Sequence, residues 1–126
     1  MSFRPPIRRE PPKRGELYFA DLDPVFGHEQ GGRRPFLILS ILSMNQSPLE
    51  MAIGLPITTT YGTSTLHVRI DPAESGLPRV SYAMPEMVRA VSIQRFSRHL
   101  GRVSTETLET AAAHTGFLLG LGRTKF

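Results

Sequence analysis

The chain has 126 residues, a formal net charge of +4 at pH 7, and neither cysteine nor tryptophan. That length suits one compact domain, a hydrophobic content of 40% suffices for a core, and the missing cysteine excludes disulfides, thiolate-held zinc and a thiol nucleophile. The basic charge is carried by arginine far more than by lysine, which favours a polyanionic partner because guanidinium forks match phosphate oxygens; an acidic protein tail satisfies the same charge.

In chain order, residues 1–13 alternate arginine with proline and read as a flexible basic arm, without the apolar centre of a signal peptide. Glu16–Asp21 is rich in strand formers and sets Leu17 and Phe19 on one face, Tyr18 on the other; Asp23-Pro24 ends it. Val25–Arg34, with glycines at 27, 31 and 32, is a sharply turned loop. Pro35–Leu42 is a nearly continuous apolar run of the length of a strand buried on both faces, far too short to span a bilayer. Met44–Pro48 is turn-forming. Glu50–Ile57 is a further strand, where Pro56 lacks an N–H and belongs at a strand end or bulge.

A polar loop, Thr58–Thr65, follows. Leu66–Ile70 alternates, with Leu66, Val68 and Ile70 facing in and His67 and Arg69 facing out. Asp71–Pro78 is a turn, Val80–Ala83 and Met87–Val91 are short strands, and His99–Val103 is the last one. Thr105–Leu119 is a helix: Leu108, Ala111, Ala112, Thr115, Leu118 and Leu119 recur on one face, Ser104 caps its start, Glu106 suits the positive end, and Gly120 and Gly122 stop it. Many short strands with one late helix give a mainly β, α+β class: a small barrel or half-open sheet carrying a helix.

The chemistry concentrates in Gly27-His28-Glu29-Gln30-Gly31-Gly32-Arg33-Arg34, where an imidazole, a carboxylate, an amide and two guanidiniums stand beside three glycines. A glycine backbone can approach a phosphate closely and two arginines can neutralise it, yet no Gly-Lys-Ser/Thr ending makes this a P-loop, and a solvated hairpin loop fits the same residues. A second candidate is Thr58, with Thr59 and Thr60, whose hydroxyls or N–H groups can donate to a phosphoryl oxygen; β propensity alone also explains threonines at a strand end. His28, His67, His99 and His114 form no HExxH motif and no histidine pair, and His67 and His114 read as structural. Tyr18, Tyr61 and Tyr82 do not alternate onto one face, which argues against a general nucleic-acid-binding barrel.

Arg14-Gly15-Glu16-Leu17-Tyr18-Phe19-Ala20-Asp21-Leu22-Asp23-Pro24, Gly27-x-Glu29-Gln30-Gly31-Gly32-x-Arg34-Pro35, Leu55-Pro56-Ile57-Thr58-Thr59, Val88-Arg89-Ala90-Val91 and Leu100-Gly101-Arg102-Val103 together resemble the MazF/PemK toxins. The likeness runs from Arg14 to about Leu121, so the organisation expected is an arm at 1–13, a toxin domain at 14–122 and a tail at 123–126. The resemblance implies an SH3-like small β-barrel of the CcdB/PemK type, a homodimer, cytoplasmic location, and cleavage of single-stranded RNA without metal or other cofactor. Arg34 and Thr58 are implied at the scissile phosphate, with Glu29 and then His28 as further catalytic candidates. Gln30, Gly31, Gly32, Arg33, Thr59 and Arg89 are the implied RNA-binding set, and a cognate antitoxin protein would block the groove. The general base stays open among Arg34, Glu29 and His28.

Two positions depart from the family pattern: His28 stands where serine is common, and Met87 where glutamine is usual, which bears on RNA sequence preference. A CcdB-like gyrase poison would need a C-terminal tryptophan, and the chain ends in Phe126. A catalytically silent RNA- or antitoxin-binding relative has no reason to keep both Arg34 and Thr58.

Overall fold

A computed structural model describes residues 10–62 and 64–122. Strands β1 (Glu16–Asp21), β2 (Arg33–Ile38), β3 (Met51–Thr58), β4 (Val68–Ile70), β5 (Ser81–Ala83), β6 (Arg89–Ser92) and β7 (Phe96–Arg102) are joined by short helices α1 (Leu42–Asn45) and α2 (Pro72–Ser75), and α3 (Thr105–Leu118) follows. The sheet is antiparallel with the order β4-β5-β3-β2-β1-β7, and β6 also pairs with β3.

Its curl originates in β3. One edge of this strand pairs with β2; the other pairs first with β6 through Met51–Gly54 and then with β5 through Ile57–Thr58. Pro56 lies at that handover, inside β3 and not at its end as expected. There its carbonyl accepts from Met84 N at 3.1 Å, and no ladder partner asks for the proton it lacks. Gly54 allows the close approach beside it, since a Cβ there would stand 2.0 Å from the Leu37 carbonyl oxygen. The outcome is the expected class, a small curled β-barrel with a C-terminal helix.

Both faces of the central strands are covered. Leu17, Leu37, Leu55 and Ile57 join Val68, Ile70, Leu108 and Ala111 in one cluster; Ala20, Phe36, Ile38, Ala52, Val91 and Phe96 form the other. Burying side chains of this size stabilises by about 1.5–3 kcal/mol each before entropy is counted. The apolar run is thus buried on both faces, but the strand spans Arg33–Ile38 and not Pro35–Leu42. It stops because Ser40 turns back: its hydroxyl meets the buried Asn45 amide oxygen, and Asn45 Nδ2 donates to Ser40 O at 3.1 Å and to Pro12 O at 2.7 Å. Ile41 and Leu42 are lifted to the surface to begin α1. Pro12 is itself buried, so the packed domain reaches into the last residues of the expected arm; residues 1–9 and 123–126, with the rest of the arm and the tail, lie outside the described residues.

Further differences are local. Tyr18 and Ala20 face the second cluster and Leu17 the first, as expected from alternation, but Phe19 is only half-buried, beneath the Arg98 guanidinium, and belongs to neither cluster. β7 begins at Phe96, earlier than expected; the segment at Asp71–Pro78 contains α2; and Met87 lies in a 3-10 turn, Pro85–Met87, before β6. His67 does not face solvent. Its side chain is 4% exposed, with Nε2 2.6 Å from Glu86 Oε2. On α3, Ser104 Oγ accepts from Thr107 N, and Leu108, Ala111 and Thr115 are buried as expected, but Leu118 and Leu119 are exposed because the sheet ends before the helix does. Half-buried His114 ties the helix to the chain entering β4 through Leu66 O at 2.8 Å. No helix among the described residues is long and apolar enough to cross a membrane.

Candidate active site

The β1–β2 loop is organised by one carboxylate that the sequence reading treated only as a strand breaker. Asp23 Oδ1 accepts from Gly32 N at 2.8 Å, and a Cβ on Gly31 would stand 2.5 Å from the same oxygen and 2.8 Å from Val25 Cγ2. The glycines therefore let the loop close on its own aspartate; they do not form the open phosphate cradle considered from the sequence. The other end of the loop is a tight turn closed twice, by Glu29 N to Phe26 O at 3.1 Å and by Phe26 N to Glu29 Oε1 at 2.8 Å. Glu29 and its neighbour His28 are exposed.

Arg34 belongs to β2, not to the loop, and strand alternation sends it and Arg33 to opposite faces. The two arginines thus do not converge on one anion. Arg33 faces a cleft of about 310 Å³ with Phe19, Asp21, Gln94, Arg95 and Ser97, 3.9 Å from Asp21 Oδ2. Arg34 is half-buried and doubly anchored, from Nε to Gly31 O at 2.8 Å and from Nη1 to Ile57 O at 3.1 Å. Burial pulls its pKa below the ordinary arginine value, and the Asp23 carboxylate pulls it partly back. Two of its five N–H donors are used, so three remain for a ligand, and the group stays cationic.

Thr58 completes this centre. β2 and β3 pair Phe36 with Pro56 and Leu37 with Leu55, a register that two residues further on sets Arg34 opposite Thr58. The Thr58 Oγ1 accepts from Thr60 N at 3.1 Å, which leaves the hydroxyl proton to donate outward. The loop and the Pro85–Met87 turn enclose a second cleft, about 240 Å³, lined by Glu29, Gln30, Pro56, Glu86, Met87, Val88 and Arg89. A fixed guanidinium, a donor hydroxyl and a polar cleft make a place for a phosphodiester and its neighbouring base.

Residues 13–115 match the family described as PemK-like, MazF-like toxin of type II toxin-antitoxin system. This chain belongs to that family. It is 34% identical over 98 residues to "Endoribonuclease EndoA" of Bacillus subtilis, covering 77% of this chain and 84% of that protein. It is 29% identical over 110 residues to "Endoribonuclease MazF" of Staphylococcus saprophyticus, covering 86% and 92%. Its fold is similar to that of a MazF from Deinococcus radiodurans, with a TM-score of 0.78, 28% identity and coverage of 88% and 98%. A mycobacterial endoribonuclease in complex with its cognate antitoxin shares the fold at TM-score 0.71 and 23% identity, over 91% and 99%.

Within this PemK/MazF framework, the residues expected at the site separate into groups. Arg34 is bonded to the Asp23-closed loop at Gly31 O and to Ile57 O, the carbonyl before Thr58; Gln30 and Arg89 share the second cleft with Glu29, and Arg89 Nη1 reaches Leu22 O at 3.2 Å, fastening β6 to the loop's start. Thr59 is exposed one residue beyond Thr58. Gly31 and Gly32 serve loop closure, and Arg33 lies on the other face. Asp23, Glu86 and Arg95, whose Nη1 holds Asp21 O at 3.0 Å and also meets Asp23 O, were missed from sequence. Asp23 carried a signal: an aspartate shortly before a glycine pair can accept from a backbone N–H of that pair, here Gly32 N.

Proposed function

We propose that this chain is the toxin of a type II toxin–antitoxin pair and cleaves single-stranded RNA by attack of a 2′-OH on the adjacent phosphate held between Arg34 and Thr58. The observation that carries this is the doubly anchored Arg34 fork, with three donors open opposite the outward hydroxyl of Thr58. In the reaction the O2′–P bond forms and the P–O5′ bond breaks. Negative charge gathers on the non-bridging oxygens, where the guanidinium and the hydroxyl stabilise it. The products are a 2′,3′-cyclic phosphate and a 5′-OH, and this chemistry asks for charge stabilisation and proton transfers without a metal ion.

We assign Arg34 to charge stabilisation and not to proton abstraction, because a guanidinium holds its proton tightly. Glu29 is engaged through Oε1 in holding the Phe26 turn and acts first by positioning the loop. His28, exposed in the same turn, offers the imidazole that takes the 2′-OH proton. The named relatives are endoribonucleases, and a fold neighbour is bound to its cognate antitoxin; this supports an antitoxin that covers the same cleft, and a homodimer presenting two copies of it. Exposed Phe117, Leu118, Leu119 and Leu121 at the end of α3 are apolar surface of the kind a second copy covers. Acting on cellular RNA places the toxin in the cytoplasm.

The test is cleavage of a long, end-labelled single-stranded RNA by the purified protein in EDTA, beside Arg34→Ala. Discrete bands with 5′-OH ends, lost in the variant, are expected. Intact RNA after incubation with folded protein would sink the reading.

A further inference from the structure

Tyr61 and Tyr82, which the sequence pattern scatters, come together beside Thr58. β3 and β5 pair Thr58 with Tyr82, and β4 and β5 pair Tyr82 with Arg69. Paired residues in an antiparallel ladder point to the same face. Their neighbours confirm which face: Ile57, Ala83, Val68 and Ile70 all enter the core cluster, so Thr58, Tyr82 and Arg69 point the other way. Together with Arg34 opposite Thr58, four adjacent strands present a row of guanidinium, hydroxyl, phenol and guanidinium. Neighbouring strands are about 4.8 Å apart, so Tyr82 begins where the phosphate site ends.

The row is capped by a second ring. Tyr61 follows Thr58 by three residues, its ring centroid is 5.5 Å from that of Tyr82 at an interplanar angle of 55°, and the residue is 80% exposed. Arg69 is held at the far edge by Asp71 Oδ1 at 2.9 Å, so it adds a hydrogen-bonding border more than net charge. A tyrosine ring this exposed, braced on one side by another ring and adjoining a phosphate clamp, is the geometry that unpaired bases use for stacking.

We infer that Tyr61 and Tyr82 form a stacking platform for an unpaired base next to the phosphate held by Arg34 and Thr58. The inference rests on the nuclease reading of that centre and adds to it a subsite outside the β1–β2 loop. Stacking uses the π-face that every base has, so the platform strengthens RNA binding without dictating which base is read. Its signature is in KM, since a base stacked equally before and during phosphoryl transfer contributes uniform binding.

The experiment uses the full chain and an RNA whose cut site has been mapped with the wild-type protein. Tyr61→Ala is expected to raise KM about ten-fold with kcat little changed, and Tyr61→Phe, which keeps the ring, to restore the wild-type KM. Tyr82→Ala should do the same, with Tyr82→Phe as its control, because Tyr82 also packs in the sheet. The chain has no tryptophan and three tyrosines, so tyrosine emission reads the contact directly: an uncleavable 2′-O-methyl copy of the RNA should quench it less in Tyr61→Ala. An unchanged KM in Tyr61→Ala, or equal impairment of the Ala and Phe variants, overturns the platform while wild-type cleavage leaves the nuclease reading standing. A loss confined to binding of an antitoxin peptide would likewise overturn it. Failure of the wild-type protein to cut any RNA is a different result: it removes the nuclease reading, and the platform with it.

Discussion

Arg34 Nη1 donates to the Ile57 carbonyl at 3.1 Å, so the residue before Thr58 holds the Arg34 guanidinium in place. The bond couples the two halves of the proposed phosphate site through a single peptide unit of β3. Nε, bonded to Gly31 O at 2.8 Å, fixes the other edge of the fork and ties it to the loop. The planar group is oriented before any substrate arrives, which is the condition under which a charged donor contributes most to a transition state.

Replacing Arg34 should therefore cost activity even when charge is kept. Arg34→Ala is expected to lower kcat by about 10²–10³, and Arg34→Lys to remain strongly impaired because an ammonium cannot grip Gly31 O, Ile57 O and a phosphate together. Thr58→Ser should keep most activity and Thr58→Ala should not. Single-turnover cleavage rates for the four proteins check this; a lysine variant near wild type would show that charge alone suffices.

The strands and the capped helix were legible because they depend on local pattern: Ser104 before Thr105, the apolar spacing of Leu108, Ala111 and Thr115, and the two-faced run at Phe36–Ile38. What was not legible depends on long-range register. The strand end at Ile38 is set by Asn45 reaching Pro12, 33 residues away in sequence. The burial of His67 is set by Glu86, 19 residues on. Arg34 and Thr58 were reached through family likeness; nothing local distinguishes Arg34 from Arg33 until β2 is known to include both. Asp23 was overlooked since its partner Gly32 and the neighbouring Gly31 read as a ligand's cradle when taken without it.

Glu29 separates a positioning role from a base. Because its Oε1 accepts from Phe26 N, glutamine at this position retains an acceptor while losing all basicity. Glu29→Gln is expected to keep activity within about three-fold, whereas Glu29→Ala loosens the turn and loses about ten-fold or more. His28→Ala should instead lower the single-turnover rate by about 10²-fold or more. A loss of that size in Glu29→Gln would make the carboxylate the base and overturn the assignment.

Glu74 gives the fold an acid-sensitive joint between α2 and α3. Burial alone would raise its pKa, but hydrogen bonds from Ser104 N at 2.7 Å, Thr107 Oγ1 at 3.1 Å and Asp71 N at 3.4 Å outweigh it and hold the carboxyl below the ordinary value of 4.5. A carboxyl with a depressed folded-state pKa contributes stability that is complete above its unfolded value and lost as pH falls through the folded one. As far as this group sets them, thermal midpoints should be independent of pH near neutrality and decline below 4.5, and the decline should be shallower in Glu74→Gln. Parallel curves for the two proteins would remove Glu74 from the acid response.

The curl that brings Arg34, Thr58 and Tyr82 onto one row depends on Gly54. This residue pairs with Ile38 on β2 and Arg89 on β6, and a Cβ would stand 2.0 Å from the Leu37 carbonyl oxygen and 2.7 Å from Phe36 Cε2. The obstruction is backbone, so it cannot be relieved by rotating a side chain, and β2 must move away from β3. Gly54→Ala is expected to destabilise by about 1–3 kcal/mol, a drop of roughly 5–15 °C in Tm. Because β2 carries Arg34 and β3 carries Thr58, cleavage at temperatures where the variant is fully folded should fall as well. A wild-type rate in folded Gly54→Ala, measured beside its melting curve, would mean that the site tolerates separation of these strands and that the Arg34–Ile57 bond is not needed to orient the guanidinium.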